Sequence, residues 1–315
     1  MRPELHDQFV SLLGERVRFA LPLARYTSFR IGGPADVFAE PTTLEELRML
    51  LALLHAENLP FFLLGGGTNI LVSDTGVRGV VIKLGDGFHY ACWEEQGDTA
   101  VVKVGAANSL GRFVREAVRK GYQGVEFAEG IPGSVGGGLL MNAGAFGGEL
   151  SRVVTTIRGI AREGYVTRLS GEEIGFAYRR TALPPRFVVT EVELHLQRGE
   201  PTEMAAAMER AQRKRQQNQP HGYPNAGSIF KNPPGSYAGR LIETAGLKGC
   251  TQGKARISDH HANFIVNTGG ASAADVQCLM KHVQHAVWEK HRVWLEPEVR
   301  LVGDWNEQSR VTTDD

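Results

Sequence analysis

The chain has 315 residues, with 35 Lys and Arg against 35 Asp and Glu, so its formal net charge is zero. The length predicts two or three domains, and the balanced charge argues against a broad surface for nucleic acid or anionic lipid. No segment approaches the roughly 20 apolar residues of a membrane helix, the acidic start predicts no signal peptide, and three scattered cysteines fit neither a disulfide framework nor a zinc cluster. We therefore expect a soluble cytoplasmic protein whose unusual feature is its glycine content, 38 of 315 residues.

The first part of the chain predicts helices and strands separated by two glycine-rich loops. Residues 42–57 read TTLEELRMLLALLHAE, in which Thr42 or Thr43 can cap a helix with a glutamate three residues later, and leucines follow at helical spacing. The loops cover 65–69 and 130–148. The remaining predicted elements are strands at 61–64, 77–84, 101–104, 153–160, 165–169 and 187–196, and an amphipathic helix at 108–120.

A change in sequence composition near Arg198-Gly199-Glu200-Pro201 predicts a domain boundary. Beyond it, Ser272 and Asp275 form a variant of the capping box before a long apolar-striped helix. The predicted elements are helices at 202–217, 237–245 and 272–292, strands at 263–267 and 293–302, a loop at 218–236 and a polar tail from 303. The pattern predicts an α+β protein.

The first glycine loop, Gly65-Gly66-Gly67-Thr68-Asn69, follows an apolar strand directly. Three consecutive glycines expose backbone N–H groups without a Cβ, so the chain can approach a phosphate closely, and the Thr and Asn side chains add donors. The alternative is a tight turn between strands, which needs fewer glycines. The spacing favours a pyrophosphate-binding loop.

The second loop runs from Gly130 through Gly138 and continues as Met141-Asn142-Ala143-Gly144-Ala145. Its Ser134 and its backbone N–H groups could support a second close approach to a nucleotide. No G-x-G-x-x-G follows a strand, which argues against a Rossmann fold, and the segment 249–255 lacks the spacing of a Walker A loop. A nucleotide is therefore expected on a different fold.

Polar groups also cluster in the segment 225–233, where Ser228, Lys231 and Asn232 lie within five residues of one another. Ser228 is not in a G-x-S-x-G elbow, so a hydrolase nucleophile is disfavoured; a proton donor, a substrate hydrogen bond and a plain surface turn all stay open. Glu298 and Arg300 point the same way from a predicted strand and could pair at a cleft or lie on a solvated edge.

Two further groups of side chains predict no site. The adjacent His260 and His261 have no Cys or carboxylate at ligand spacing, so no metal site is expected. A cluster of basic residues on the helix at 202–217 is interpreted as a solvated helix face; its members are Arg210, Arg213, Lys214 and Arg215.

Taken in order, the motifs resemble the UDP-N-acetylenolpyruvoylglucosamine reductase family, the flavoenzymes of peptidoglycan precursor synthesis. Each motif is weak alone, but nine in family order, spanning about residues 20 to 302, are highly specific. The matching segments are YTSFRIGG (26–33), GGGTNILVSD (65–74), GIPGSVGG (130–137), MNAGAFGGE (141–149), YRRT (178–181), GSIFKNP (227–233), AGLKG (245–249), HANFIVN (261–267) and LEPEVR (295–300).

The resemblance implies an α+β fold with an FAD-binding domain of the vanillyl-alcohol-oxidase type in two subdomains, followed by an α+β substrate-binding domain. The implied bounds are 1–84 and 85–198 for the subdomains, with strand 293–302 able to return to the first of them, 199–292 for the substrate-binding domain, and 303–315 for a polar tail. The implied partners are FAD, NADPH as hydride donor and a small-molecule substrate. Neither nucleic acid nor membrane is implied, and we expect a monomer.

The resemblance also implies roles for individual residues. Arg179 and Glu298 would act on the enolpyruvyl end of the substrate, and Ser228 would be the proton donor. The implied FAD contacts are Gly65, Gly66, Gly67, Thr68, Asn69, Gly130, Gly133, Ser134, Gly136, Asn142, Ala143 and Gly144. The implied substrate contacts are Tyr178, Lys231, Asn232 and Arg300.

The chain departs from the longer form of the family in two places. Only Thr181-Ala182-Leu183-Pro184-Pro185-Arg186 separates the Tyr-Arg motif from the next strand, so the longer form's substrate-covering tyrosine loop is absent. Its lysine upstream of the serine loop has no counterpart, because Gln216 and Gln217 occupy that region. The chain therefore resembles the shorter, type II form.

The motifs leave two alternatives to the reductase. An FAD-dependent oxidase of the same superfamily, acting on an alcohol or hydroxy acid, often tethers its flavin through His or Cys, and the residues before and inside the two loops include neither. A non-catalytic nucleotide-binding protein would have little reason to retain Arg179, Ser228 and Glu298 together. The reductase is the favoured interpretation.

Overall fold

Helices and strands alternate along the computed structural model, which describes residues 2–161 and 164–305. The α-helices in these ranges are α1 (Pro3–Leu13), α2 (Leu44–Ala56), α3 (Leu110–Arg119), α4 (Val135–Leu140), α5 (Gly171–Ile174), α6 (Pro201–Asn218), α7 (Ala238–Thr244) and α8 (Ala273–His291). Short 3-10 turns cover Gly14–Arg16, Leu23–Tyr26, Asp86–Phe88, Glu126–Ala128 and Leu150–Arg152. Most of the polar tail predicted from 303 lies outside the described residues.

The β-strands are mostly short. Those of the first half are β1 (Val17–Pro22), β2 (Pro34–Ala39), β3 (Phe61–Leu63), β4 (Ile70–Val72), β5 (Val77–Ile82), β6 (Ala91–Gln96), β7 (Thr99–Gly105), β8 (Tyr122–Gln123), β9 (Gly144–Ala145) and β10 (Gly148–Glu149). Those of the second half are β11 (Val154–Ile160), β12 (Val166–Ser170), β13 (Val188–Arg198), β14 (Thr251–Gln252), β15 (Ala255–Ile257), β16 (Ile265–Asn267) and β17 (Arg300–Val302). One four-stranded sheet has the order β1-β2-β5-β3.

The chain divides into two compact units. Unit 1 comprises the described residues of 1–18, 39–66 and 82–217, and unit 2 those of 19–38, 67–81 and 218–315. Unit 1 contains an antiparallel sheet of order β12-β11-β13-β7-β6, with β8 on β13. Unit 2 contains the antiparallel sheet β14-β15-β16 and the parallel pair of β17 with β4.

The start of α2 confirms the helix predicted at 42–57. Thr43 is the N-cap: its hydroxyl accepts a hydrogen bond from the Glu46 N–H at 3.1 Å, and the Glu46 carboxylate accepts from the Thr43 N–H at 3.3 Å. The Arg16 guanidinium donates to the same carboxylate at 2.6 Å and holds the pKa of Glu46 down at about 2. A capping box of this kind satisfies donors that the first helical turn leaves unpaired.

The core of unit 1 follows from the predicted alternation and helical stripe. On β13, Val192, Leu194 and Leu196 are buried while His195 between them is exposed. On α3, the buried side chains are Leu110, Phe113, Val114 and Ala117, and the Phe113 ring lies 6.1 Å from that of Trp93 on β6. Burying each large apolar side chain contributes about 1.5–3 kcal/mol relative to exposure.

The core of unit 2 gathers around α8. Val276, Leu279 and Val283 of this helix are buried together with side chains from β15 and β16 and with Phe29. The predicted capping box is confirmed, because the Ser272 hydroxyl accepts from the Asp275 N–H at 3.0 Å. In the part of the chain that the structure describes, no helix is long and apolar enough to cross a membrane.

Two expectations are wrong in detail. The strand predicted at 293–302 is reduced to β17, because Pro297 has no N–H to give to a ladder and the chain before it makes only single bonds to a neighbouring segment. The loop predicted at 130–148 contains α4, which Ser134 caps by accepting from the Gly137 N–H at 3.2 Å, and the β9–β10 hairpin.

Candidate active site

The two glycine loops meet inside unit 1. A Cβ placed on Gly66 would lie 2.6 Å from the Gly133 Cα, and one on Gly65 would lie 2.8 Å from the Ser134 Oγ. Contacts under 3 Å essentially never occur for a real Cβ, so only glycine allows the two backbones to approach this closely. The sequence predicted both loops as nucleotide-binding, and the structure brings these four residues together.

The meeting point presents unused hydrogen-bond donors. Within the described residues, the backbone N–H groups of Gly65, Gly66, Gly133 and Ser134 make no hydrogen bond to the protein, and Gly65 and Gly66 are exposed. Exposed N–H groups on a chain without Cβ atoms form the kind of concavity that binds the oxygens of a phosphate. These residues therefore fit the pyrophosphate of a dinucleotide such as FAD.

Other predicted FAD contacts in the second loop have their N–H groups engaged within the protein. Those of Gly136, Asn142 and Ala143 donate to the carbonyls of Ala106, Leu139 and Gly138 at 2.9, 2.8 and 2.8 Å. The Asn142 side chain is also engaged, since its Nδ2 donates to the Ala177 carbonyl at 3.3 Å and its Oδ1 accepts from the Ser151 N–H at 3.0 Å. This part of the loop shapes the site, and its contact with a cofactor stays a prediction.

The remaining predicted loop residues have structural contacts of their own. Gly67 has φ +64° and approaches Tyr26 so closely that a Cβ would lie 2.0 Å from the Tyr26 carbonyl oxygen, so only glycine fits. Gly144 begins the hairpin strand β9. Gly130 has φ +74° and packs against the Arg215 side chain, whose Cδ would be 2.7 Å from an added Cβ.

The predicted substrate residues Tyr178 and Arg179 form the tip of a tight turn in unit 1. Ala177 and Arg180 exchange backbone hydrogen bonds of 3.0 and 3.2 Å across it, and Arg179 has φ +58°, a left-handed conformation that costs a non-glycine residue about 1–3 kcal/mol. The Arg179 guanidinium lies 5.1 Å from the centre of the exposed Tyr178 ring. Such strain is kept where the surrounding structure fixes it, and here Asn142 tethers the turn through Ala177.

Arg215 contacts the second glycine loop, which the sequence analysis did not foresee. The solvated-face interpretation fits Arg210, Arg213 and Lys214, which are exposed, but it is wrong for the half-buried Arg215. Its Nε donates to the Glu129 carbonyl at 2.9 Å, and its guanidinium lies 5.5 Å from the Phe146 ring centre. Burial lowers the pKa of Arg215; the Glu129 charge opposes this and the Arg179 charge adds to it. The signal was available, because Arg215 follows the buried Ala211 by one helical turn.

Unit 2 brings Ser228 next to Glu298 along the backbone. The Glu298 N–H donates to the carbonyl of Ile229 at 2.8 Å, and the Lys231 N–H donates to the Glu296 carbonyl at 2.9 Å. Ser228 directly precedes Ile229, so the hydroxyl-bearing residue and the carboxylate-bearing residue lie on paired segments. The alternative of a plain surface turn at 225–233 does not fit this pairing.

Asn263, which the sequence analysis did not single out, fixes the serine segment from its other side. Its backbone carbonyl accepts from the Ile229 N–H at 2.9 Å, its Oδ1 accepts from the Phe230 N–H at 3.0 Å, and its Nδ2 donates to the Phe230 carbonyl at 2.8 Å. Asn263 is buried, at 4% exposure. A buried asparagine that bonds three backbone groups, two through its side-chain amide and one through its own carbonyl, holds this segment in one conformation.

The other predicted substrate contacts lie in unit 2 with Ser228 and Glu298. Lys231 forms an ion pair with Glu296, and the side-chain oxygen of the exposed Asn232 accepts from the N–H of Ala238, the first residue of α7, at 3.0 Å. Arg300 is exposed, with the buried Val299 between it and Glu298. Contact of these residues with a substrate stays a prediction. Of the three expected catalytic residues, Arg179 belongs to unit 1 and the other two to unit 2.

The family models divide the chain in two. The model described as UDP-N-acetylenolpyruvoylglucosamine reductase, C-terminal domain, matches residues 219–302, and the FAD binding domain model matches residues 35–170. The second match covers both glycine loops, and the first covers Ser228 and Glu298.

Whole-chain comparisons find similar proteins. A curated UDP-N-acetylenolpyruvoylglucosamine reductase 2 from Symbiobacterium thermophilum is 48% identical, covering 91% of this chain and 92% of that protein. A curated UDP-N-acetylenolpyruvoylglucosamine reductase from Caldanaerobacter subterraneus is 44% identical, covering 90% of this chain and 92% of that protein. The crystal structure of UDP-N-acetylenolpyruvylglucosamine reductase from Thermus caldophilus aligns with a TM-score of 0.77 and 38% identity, covering 90% of this chain and 97% of that one.

Proposed function

The chain belongs to the UDP-N-acetylenolpyruvoylglucosamine reductase family, and from this we propose that it reduces UDP-N-acetylglucosamine enolpyruvate to UDP-N-acetylmuramate in peptidoglycan precursor synthesis. It uses FAD, with NADPH as the hydride donor. The single observation that carries the proposal is the backbone bond between Glu298 and Ile229, which holds a carboxylate beside the serine segment. A cytoplasmic, monomeric enzyme is part of the same proposal.

The FAD site is proposed at the meeting of the two glycine loops. The free N–H groups of Gly65, Gly66, Gly133 and Ser134 would hold the pyrophosphate oxygens. Gly67, Thr68, the backbone of Asn69, Gly130 and the segment 136–144 are proposed as further FAD contacts. When bound, FAD accepts a hydride from NADPH and passes it to the substrate.

The chain's own residues handle the charge and the proton. An enol ether is electron-rich, so it accepts a hydride at C3 only when its conjugated carboxylate is polarised and the arriving charge can delocalise. Arg179 would stabilise that charge, since a fixed cation aimed at developing charge costs no reorganisation. The strained turn that holds Arg179 is consistent with such a fixed position.

Ser228 would then deliver a proton to C2 of the enolate-like intermediate. A serine hydroxyl is a weak acid, so the transfer depends on the strong basicity of the intermediate and on close positioning. Glu298, in its protonated form, would donate a hydrogen bond to the conjugated carboxylate of the substrate. Tyr178, Lys231, Asn232 and Arg300 are proposed to contact the rest of the substrate, and the absence of a tyrosine loop leaves this short form to cover its substrate by other means.

The test is an anaerobic flavin titration of the purified protein. NADPH should bleach the flavin absorbance, and UDP-N-acetylglucosamine enolpyruvate should restore it without oxygen. A flavin that NADPH reduces but this substrate does not reoxidise would assign a different acceptor, as for an oxidase of the same fold. A protein that binds no FAD after reconstitution would refute the proposal.

A further inference from the structure

Both backbone polar groups of Glu298 are bonded to segments remote in sequence. Its N–H donates to the Ile229 carbonyl at 2.8 Å, and its carbonyl accepts from the Asn69 Nδ2 at 3.0 Å. Glu298 itself lies outside the ladder formed by β17 and β4. These two bonds hold the backbone of Glu298 from both sides.

Asn69 is bonded to the 298–300 segment twice. Besides its side-chain bond to Glu298, its backbone carbonyl accepts from the Arg300 N–H at 3.0 Å, immediately before β4 begins at Ile70. Asn69 is half-buried, and its side-chain Nδ2 donates within the protein, to the Glu298 carbonyl. The Glu298 carbonyl lies outside the ladder of β17 and β4, and the Asn69 side chain donates a hydrogen bond to it.

We infer that Asn69 is a positioning residue for Glu298, and that its side chain serves the reduction of the substrate. This inference rests on the proposed function. The resemblance placed Asn69 with the FAD loop as a cofactor contact; its side-chain amide instead donates to the backbone carbonyl of the proposed catalytic residue Glu298. The backbone N–H of Asn69 takes no part in these bonds and stays available for a contact with FAD. A displacement of about 1 Å at a reacting group can cost 100-fold in rate.

A matched control lies at the opposite end of the same two strands. The Ser73 N–H donates to the Val302 carbonyl at 2.9 Å, and its Oγ donates to the Asp304 carbonyl at 2.6 Å, so Ser73 ties β4 to the chain beyond β17 just as Asn69 ties it to the chain before. Ser73 is buried and lies away from Glu298 in sequence and in the ladder. Ser73→Ala thus removes one of the two hydroxyls that donate to the Asp304 carbonyl, the other being Thr75 Oγ1 at 2.7 Å, without touching Glu298.

The experiment compares the two half-reactions by anaerobic stopped flow in the wild type, Asn69→Asp and Ser73→Ala, all as FAD-loaded full-length protein. Asn69→Asp keeps the size of the side chain and removes its donor. We expect reoxidation by the enolpyruvyl substrate to slow by about 10–100-fold, with FAD content and reduction by NADPH unchanged. Ser73→Ala should change neither half-reaction by more than about twofold. Asn69→Ser, with a shorter donor, should fall between wild type and Asn69→Asp and serves if Asn69→Asp does not fold.

The outcomes separate the alternatives. Loss of FAD or equal slowing of both half-reactions in Asn69→Asp would make Asn69 a flavin contact and overturn the inference. If Ser73→Ala slowed reoxidation as much as Asn69→Asp does, Asn69 would only hold the two strands together, and the inference would fail. Unchanged rates in Asn69→Asp would also overturn the inference. A wild-type flavin that the substrate does not reoxidise would instead refute the proposed function, and the role of Asn69 with it.

Discussion

The contact between Gly66 and Gly133 makes Gly66→Ala the sharpest test of the flavin site. The new Cβ would lie 2.6 Å from the Gly133 Cα, 3.2 Å from its carbonyl carbon and 3.3 Å from the Ser134 nitrogen. These are backbone atoms, which cannot rotate away as the end of a side chain can. Gly66 has no positive φ, so alanine is compatible with its backbone conformation and the clash alone decides the result.

The loops must separate by several tenths of an ångström to admit the methyl group. Overpacking of this kind costs about 1–3 kcal/mol, and the separation misaligns N–H groups that would bind the pyrophosphate. A hydrogen bond to a charged group contributes about 1.5–3 kcal/mol. Losing one such bond raises the FAD dissociation constant by about 10–150-fold.

The assay is reconstitution of the apoprotein, with flavin fluorescence quenching to give the FAD dissociation constant and thermal unfolding of the apoprotein to give stability. Gly111→Ala is the control, because Gly111 lies in α3 and the nearest atom to its added Cβ is a flexible Arg115 guanidinium nitrogen at 3.4 Å. It should bind FAD normally and gain up to about 1 kcal/mol in helix stability. A Gly66→Ala protein with the wild-type FAD dissociation constant would refute the assignment of the cofactor to the meeting of the two loops.

Three more predictions follow from particular contacts. Ser228→Ala should leave flavin reduction by NADPH unchanged and slow reoxidation by the substrate by about 100-fold or more in stopped flow; equal loss in both half-reactions would remove its role as proton donor. Arg215→Gln should weaken FAD binding several-fold by loosening the Glu129–Gly130 segment, while Arg213→Gln, at an exposed position of the same helix, should not. An equal loss of FAD affinity in the two variants would show that only the lost charge matters. The pKa of Glu46 is lowered from 4.5 to about 2, mainly by the Arg16 hydrogen bond, so its contribution to the free energy of unfolding is full above pH 4.5 and lost as pH falls towards 2. After allowance for its partial exposure that contribution is about 1–2 kcal/mol, so Glu46→Gln should flatten the pH dependence of urea unfolding in this window, and an unchanged slope would contradict the assignment.

Local signals in the sequence predicted the elements that local chemistry determines. The capping boxes at Thr43 and Ser272 need only residues three apart, and the alternation of β13 needs only one face to be buried. Both patterns are visible without knowing what packs against them. The first glycine loop was also predictable, because three adjacent glycines exceed what a turn requires, whereas the second contains a helix and a hairpin.

Elements stabilised by distant partners were not predictable in the same way. Helix α4 lies in a run where three of six residues are glycine, which disfavours a helix by about 1 kcal/mol per residue relative to alanine. It forms because Ser134 caps it and because Val135 and Leu139 are buried against the rest of unit 1. Tertiary burial outweighs intrinsic propensity here, and a single sequence does not show that burial.

The same reasoning explains why the support of the candidate catalytic residues was less visible than the residues themselves. Ser228 and Glu298 stand in motifs whose residue types suggest chemistry, but the groups that fix them, Asn263 and Asn69, act through bonds spanning 33 residues to Phe230 and 229 to Glu298. An asparagine bonded to a remote carbonyl looks no different in the sequence from one at a surface turn. Only the fold identifies its partner. The half-reactions of the Asn69 variants, compared with those of Ser73→Ala, therefore test a role for Asn69 that the sequence alone does not predict.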